Sequence, residues 1–275
     1  MTDITTRKWF RDGISGLRPW LEFAAPNRVV IAGDWHTNTK WGMHVIEQAA
    51  IELHAEPGIK VILHAGDIGT KWPGFPDHFT RLSEKLSECG VLLLMVDGNH
   101  DNHDWLGLMH ANEPGPVPLD HNERIWHLPR GFRWEWNGIR WLAVGGAGSP
   151  DWKRRVPGAS WWPQEVISTA EAREIAAGGD ADVLLAHDCP AYFYPALAAP
   201  PSWWDLTVCH SSSQRLQDIT DAAKPHRVFH GHLHVGRDDA FQASWGTVGV
   251  TGLDADGNDA NWQVIDARTL ERVSR

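Results

Sequence analysis

The chain has 275 residues, a formal net charge of −10 and no long basic block. This length suits a domain that buries its core without disulfides or a structural metal, and the acidic balance disfavours a protein that coats nucleic acid, because such binding depends on Lys and Arg contacts to phosphate. The cysteines Cys89, Cys189 and Cys209 form no CxxC pair, no signal-peptide segment is visible and no apolar run could cross a bilayer, so we expect a cytoplasmic protein without membrane contact.

The first half of the chain alternates strands and helices. Residues 1–27 are mixed in character, with Trp9, Phe10, Trp20 and Phe23 as expected packing anchors. Apolar runs then predict strands at 28–32, 60–65 and 91–96, and helical spacing predicts helices at 41–55 and about 77–89, the first of them stopped at 56–58. Units of about thirty residues in this order are typical of crossovers on a parallel sheet.

The second half adds antiparallel pairing and two long loops. Strands are predicted at 124–128, 132–136, 139–144, 182–186, 227–229, 241–245, 247–251 and 262–266, and helices at 168–177 and 213–223. Asn137-Gly138 is a hairpin signal, and Ser168 with Glu171 forms a capping box. Because long loops in compact domains are usually functional, we expect the loops 146–165 and 189–213 to form a substrate rim.

Polar side chains follow five of the predicted apolar strands at the point where each strand ends. These are Asp34 with His36, Asp67, Asn99 with His100, His187, and His232 with His234. Any one set is ordinary turn chemistry or a satisfied histidine. Because sites in parallel sheets form at the carboxyl ends of the strands, the five sets together predict a metal site with an acid beside it.

The order of these motifs resembles the calcineurin-like metallophosphoesterase superfamily. The matching motifs are Gly33-Asp34-x-His36, Gly66-Asp67, Gly98-Asn99-His100-Asp101, the later His187, and Gly231-His232-x-His234. The resemblance implies an α/β fold, a four-layer αββα sandwich of two mixed β-sheets flanked by helices, which we assign as one domain over residues 1–275. It also implies a dinuclear metal-dependent phosphoester hydrolase.

The same resemblance implies a role for each motif residue. One metal is held by Asp34, His36, Asp67 and His234, and the other by Asp67, Asn99, His187 and His232, with Asp67 bridging. His100 hydrogen-bonds the phosphoryl group or protonates the leaving oxygen, oriented by Asp101. Two such cations activate a bridging water for in-line attack on phosphorus. Oxygen and imidazole ligands suit manganese, iron, zinc or similar ions without choosing among them.

Departures from the family pattern bear on the substrate. Thr37 stands where many members have Gly, the second motif lacks a following Asp-Arg, and Asp101 replaces the Glu of protein Ser/Thr phosphatases. We therefore expect a small-molecule or nucleotide phosphoester rather than a phosphoprotein. The candidate rim residues are Arg154, Arg155, Trp161 and Trp203, for which a solvated loop is the bland interpretation.

Two alternatives stay open from the sequence. One is a nuclease acting on single-stranded DNA or RNA, which the acidic charge does not favour. The other is a non-catalytic module that binds metal, a nucleotide or a partner on the same fold. Several further histidines, including His103, His110 and His127, match no motif position and receive no role.

Overall fold

The computed structural model describes residues 25–56, 60–195 and 200–273, so the expected packing anchors Trp9, Phe10, Trp20 and Phe23 lie outside the described residues. The helices are α1 (Thr39–Glu52), α2 (His78–Cys89), α3 (His103–Met109), α4 (Thr169–Ala176) and α5 (Leu206–Ala223). The strands are β1 (Arg28–Ala32), β2 (Lys60–His64), β3 (Val91–Met95), β4 (Val117–Pro118), β5 (Ile125–His127), β6 (Arg133–Trp136), β7 (Ile139–Val144), β8 (Val183–Ala186), β9 (Arg227–His230), β10 (Arg237–Ala243), β11 (Gly246–Gly252) and β12 (Trp262–Asp266).

The strands form two mixed sheets. The first has the order β12-β1-β2-β3-β5-β4, with β1, β2, β3 and β5 parallel and antiparallel strands at both edges. The second has the order β10-β11-β9-β8-β7-β6, with parallel β11, β9, β8 and β7 between antiparallel edge strands. The predicted Asn137-Gly138 hairpin joins β6 to β7, with Asn137 in the left-handed region at φ 53°.

Alternate residues of each strand pack into different layers, because successive side chains point to opposite faces. In β1, Val29 and Ile31 join the core between the sheets, which also contains stacked Trp134 and Trp141. Val30 packs with the helices α1 and α2 instead. A third core lies between the second sheet and the helices α4 and α5. These layers make the predicted four-layer αββα sandwich.

Some element bounds differ from the prediction. Helix α1 starts at Thr39 because the Asn38 side chain accepts a hydrogen bond from the backbone N–H of Trp41, and the predicted stop at 57–58 lies outside the described residues. The short helix α3 was not predicted. Helix α5 begins at Leu206, capped by Asp205, so the predicted loop 189–213 is helical in its second part.

The helices that the structure describes include none that is both long and apolar enough to span a bilayer.

Candidate metal centre

The predicted ligand residues converge at the carboxyl ends of β1, β2, β3, β8 and β9. Three groups of side chains place their ligand atoms within 4.8 Å of one another: Asp34, His36 and His234; His36, Asp67 and His100; and Asp34, Asp67 and His187. Two further predicted ligands border these groups. Asn99 Oδ1 lies 3.1 Å from His187 Nε2, and the His232 ring lies 5.2 Å from that of His187. All seven predicted ligands are therefore brought together.

Asp67 lies at the centre of the cluster and faces both sides of it. Its Oδ1 lies 3.4 Å from His187 Nε2, and its Oδ2 lies 3.3 Å from His36 Nε2. The backbone N–H of His100 also donates to Oδ1 at 2.6 Å. One buried carboxylate thus turns each of its two oxygens toward a different imidazole.

The ligand-bearing turns have an unusual backbone. Asp34, His36, Asp67, His232 and His234 all have positive φ, between 43° and 64°. L-residues seldom occupy the left-handed region, and such residues cluster at functional sites where the surroundings hold them. The chain adopts this conformation just after β1, β2 and β9, where these five residues lie.

Two motif glycines are required by the close approach of a ligand carboxylate. A Cβ atom at Gly98 would overlap the Asp67 side chain, and one at Gly231 would overlap Asp34 Oδ2. A glycine at either place lets the turn of one motif pack directly on the acid of another. The third and fifth motifs therefore need a glycine where their turns pack against the acids of the second and first motifs.

The cluster has a surplus of hydrogen-bond acceptors. His187 Nδ1 lies 2.7 Å from the Ala65 carbonyl and must donate to it, since that oxygen only accepts. A neutral His187 therefore presents a lone pair at Nε2 to Asn99 Oδ1 and Asp67 Oδ1, which are acceptors too. The buried Asp34 Oδ2 has no hydrogen-bond partner. Such an arrangement is stable only with a proton or a cation among these atoms.

The pKa values reflect the same demand for positive charge. Burial acts to lower the pKa of His187, but the nearby Asp67 carboxylate outweighs this effect and raises that pKa to about 10. Burial likewise lowers the pKa of His36, but hydrogen bonding and charge interaction with Asp67 raise it to about 9. Burial raises the pKa of Asp67, and the His187 and His100 imidazoles outweigh that effect and hold it well below its usual range. Oxygen and imidazole donors in this setting fit divalent cations.

A sequence model of the family described as calcineurin-like phosphoesterase matches residues 27–236. The chain belongs to that family. No curated protein matches it by sequence comparison. Among solved structures, it is similar to a Thermus thermophilus sulfate thiohydrolase, SoxB, in complex with glycerol, with 15% identity and a TM-score of 0.40 over 82% of this chain. The chain spans 39% of the length of that structure.

His100 is held by an arginine. Arg155 Nη2 lies 2.9 Å from His100 Nε2, while Arg155 also contacts Asp151 at 2.7 Å and the Asn99 carbonyl at 3.3 Å. A guanidinium only donates, so His100 Nε2 accepts and the neutral ring carries its hydrogen on Nδ1. Burial lowers the pKa of His100 to about 4. The nearby Asp67 acts to raise this pKa, and the Arg155 guanidinium acts to lower it.

The predicted role of Asp101 as the orienter of His100 is corrected by the structure. Asp101 Oδ1 accepts from the backbone N–H groups of Gly69 and Thr70, and Oδ2 accepts from those of Gly98 and Asp67. Both oxygens are thus engaged by backbone amides. Asp101 ties two motif turns together, and Arg155 is the residue that contacts the His100 ring.

The predicted rim residues have different surroundings. Arg155 reaches the site, whereas the Arg154 guanidinium lies 3.9 Å from the ring centre of Trp203. Trp161 stacks on Trp152 at 5.2 Å and donates to Glu165. An aromatic side chain that was not predicted, Trp72, has its ring 5.1 Å from that of His100.

Several supporting residues could not be recognised from the motifs. Asp256 Oδ1 lies 3.3 Å from His36 Nδ1. The buried Ser149 contacts Asn99, and the buried Glu165 contacts Ser149 in turn. Under the third motif, the buried Asp97 accepts from Arg130 at 2.5 Å and lies 3.2 Å from His127. Each lies on a loop or strand end where a lone acid or hydroxyl is ordinary turn chemistry, so sequence carried no specific signal.

Proposed function

We propose that this chain is a dinuclear metal-dependent phosphoester hydrolase that acts on a small-molecule or nucleotide phosphoester. The observation that carries the proposal is Asp67, whose two oxygens face His187 on one side and His36 on the other. A carboxylate in that position can bridge two cations. Membership of the calcineurin-like phosphoesterase family supports the reaction class.

The ligand assignment is part of the proposal. One cation would be held by Asp34, His36, Asp67 and His234, and the other by Asp67, Asn99, His187 and His232. Two divalent cations, when bound, supply positive charge that polarises phosphoryl oxygens and lowers the pKa of water. The unpartnered Asp34 Oδ2 and the facing acceptors around His187 support this assignment.

The chain's own contribution on the other side of the substrate is His100. With Arg155 donating to Nε2, the Nδ1–H group is the donor that His100 offers to a phosphoryl oxygen. Protonation of the leaving oxygen by Nε2 would require the Arg155 contact to break and the imidazole to acquire a proton. Of the two roles implied by the family resemblance, we therefore propose the hydrogen bond to the phosphoryl group.

The test begins with metal analysis of protein purified without chelator. We expect two equivalents of divalent metal, or recovery of two after addition of Mn²⁺. The Mn²⁺-loaded protein is then assayed on mono- and bis-aryl phosphates, mononucleotides, and single-stranded DNA and RNA. Turnover of the small esters supports the proposal, preference for polymers supports the nuclease, and full metal occupancy without turnover supports the non-catalytic module.

A further inference from the structure

Asn99 is connected to a buried carboxylate by a hydroxyl. Its Nδ2 lies 3.1 Å from Ser149 Oγ, and Ser149 Oγ lies 2.8 Å from Glu165 Oε2. Ser149 and Glu165 are fully buried and Asn99 is 2% exposed. Asn99 belongs to the third motif, whereas Ser149 and Glu165 match no motif and lie in the long segment between β7 and α4. The three residues form a continuous relay, which we call the Asn99 relay.

The polarity of the Asn99 relay is fixed at its Glu165 end. Ser149 N and Trp161 Nε1 both donate to Glu165 Oε1, at 2.8 and 3.2 Å. An ionised carboxylate only accepts, so the Ser149 hydroxyl must donate its hydrogen to Oε2. The same hydroxyl oxygen then has only a lone pair to offer Asn99. Asn99 must therefore present its amide nitrogen to Ser149.

That orientation decides which atom Asn99 presents to the candidate metal centre. With Nδ2 held by Ser149, Oδ1 points the other way and lies 3.1 Å from His187 Nε2. An amide oxygen can bind a cation, whereas an amide NH₂ group cannot. An asparagine without such a partner could turn its side chain by half a rotation and present the wrong atom.

We propose that Glu165 and Ser149 are positioning residues that set the amide orientation of Asn99 for metal binding. This inference rests on the proposed metal centre. Groups that orient metal ligands in this way contribute about 10- to 100-fold to metal affinity. The loop 146–165 then has a structural task at the metal centre in addition to carrying Arg155.

The decisive variant is Glu165→Gln, which keeps the shape of the side chain and reverses the relay. The glutamine oxygen takes the place of Oε1, because Ser149 N and Trp161 Nε1 both donate there. Its NH₂ group then donates to Ser149 Oγ, and the hydroxyl hydrogen turns toward Asn99. Asn99 is thereby favoured in the flipped orientation, with Nδ2 toward the metal.

The experiment measures Mn²⁺ binding by calorimetry for the wild type, Glu165→Gln, Ser149→Ala and the double variant, at a pH above the raised pKa of Glu165, which burial brings to about 7. We expect Glu165→Gln to weaken the binding of one ion by about 10- to 100-fold. Ser149→Ala should weaken it less, because it removes the acceptor of Asn99 without reversing the relay. Thermal unfolding in chelator checks that each variant folds.

The double variant distinguishes a relay from a general loss of packing. Without the Ser149 hydroxyl there is nothing to reverse, so Glu165→Gln should add little in the Ser149→Ala background. Equal Mn²⁺ binding by wild type and Glu165→Gln, or an equal effect of Glu165→Gln in both backgrounds, overturns the inference alone. A wild type that binds no divalent cation overturns the metal centre and the relay with it.

Discussion

The two sides of the candidate site have opposite electrostatic needs. On the side of Asp34, Asp67 and His187, acceptor atoms face one another, and no Arg or Lys side chain within the described ranges pairs with them. On the side of His100, Arg155 already provides a guanidinium at 2.9 Å. The first side needs an added proton or cation among its acceptor atoms, whereas the second has a guanidinium built in.

This difference assigns separate tasks to the two sides. The acceptor side can hold cations, and its backbone is fixed in left-handed turns that leave little room to relax. The His100 side is assembled from a loop arginine and an aromatic ring, Trp72. We expect changes on the acceptor side to remove metal and activity together, and changes on the His100 side to lower activity while metal stays bound.

The largest effect is expected from Asp67→Asn. The amide removes the negative charge between His36 and His187 and leaves one oxygen where there were two. Turnover of an activated aryl phosphoester should fall below detection, and bound metal should fall below two equivalents, measured by elemental analysis. Asp239→Asn, the same chemical change on the surface strand β10, is the control and should leave both unchanged. Retained activity in Asp67→Asn would contradict the bridging role.

His100→Ala should lower turnover by about 10²- to 10³-fold, which is typical for loss of one donor to a developing negative charge. Metal content should stay at the wild-type level. The loss should be similar for aryl esters of good and poor leaving groups, because a hydrogen bond to the phosphoryl group does not depend on the leaving oxygen. A loss that grows steeply with the pKa of the leaving phenol would instead assign His100 as the general acid.

Comparison of the two sides also explains which parts could be predicted from the sequence. The acceptor side was predictable because its residues follow continuous apolar strands, and strand ends meet at one edge of a parallel sheet. The role of Asp256 could not be predicted, because this residue lies in an acid-rich turn far along the chain from His36, where acidic residues are common. The His100 side depends on loop contacts that no periodicity reveals.

The elements of the fold likewise differ in how well the sequence predicts them. Strands such as β1, β3 and β8 were predicted closely, because a strand buried on both faces must be apolar throughout. The first two turns of α5 were taken for loop. Their buried residues are Cys209, whose thiol donates to the Gly148 carbonyl at 3.1 Å, and the polar Ser212, so these turns show no continuous apolar stripe in the sequence.

A smaller effect is expected from Asp256, which supports the acceptor side from behind. Asp256→Ala removes the acceptor for His36 Nδ1, so the ring loses its fixed orientation, and metal affinity should fall about 10- to 100-fold. Asp256→Asn keeps an oxygen acceptor and should retain most of the affinity. Calorimetric titration with Mn²⁺ compares the two. If both variants bind Mn²⁺ as the wild type does, the His36–Asp256 contact has no part in metal binding.

The smallest effect is expected from Trp72, on the His100 side. Its ring lies 5.1 Å from the His100 ring, tilted by 34°, and is partly exposed, so it can extend a flat surface beside the proposed phosphoryl site. Stacking of an aromatic ring on such a surface contributes about 1–3 kcal/mol. Trp72→Ala should therefore raise KM about 5-fold or more for aryl and nucleotide esters, with metal content unchanged.

The controls for Trp72→Ala are a second variant, Trp72→Phe, and a substrate without an aromatic group. Trp72→Phe keeps an aromatic face, so its KM for aryl esters should be close to that of the wild type. For an alkyl phosphoester, the wild type, Trp72→Ala and Trp72→Phe should all have the same KM. If Trp72→Ala lowers kcat equally for alkyl and aryl esters, the ring serves to support His100 and not to bind substrate. Because Trp72 and Arg155 both contact the His100 imidazole, that outcome would mean that Trp72 as well as Arg155 holds the ring in place.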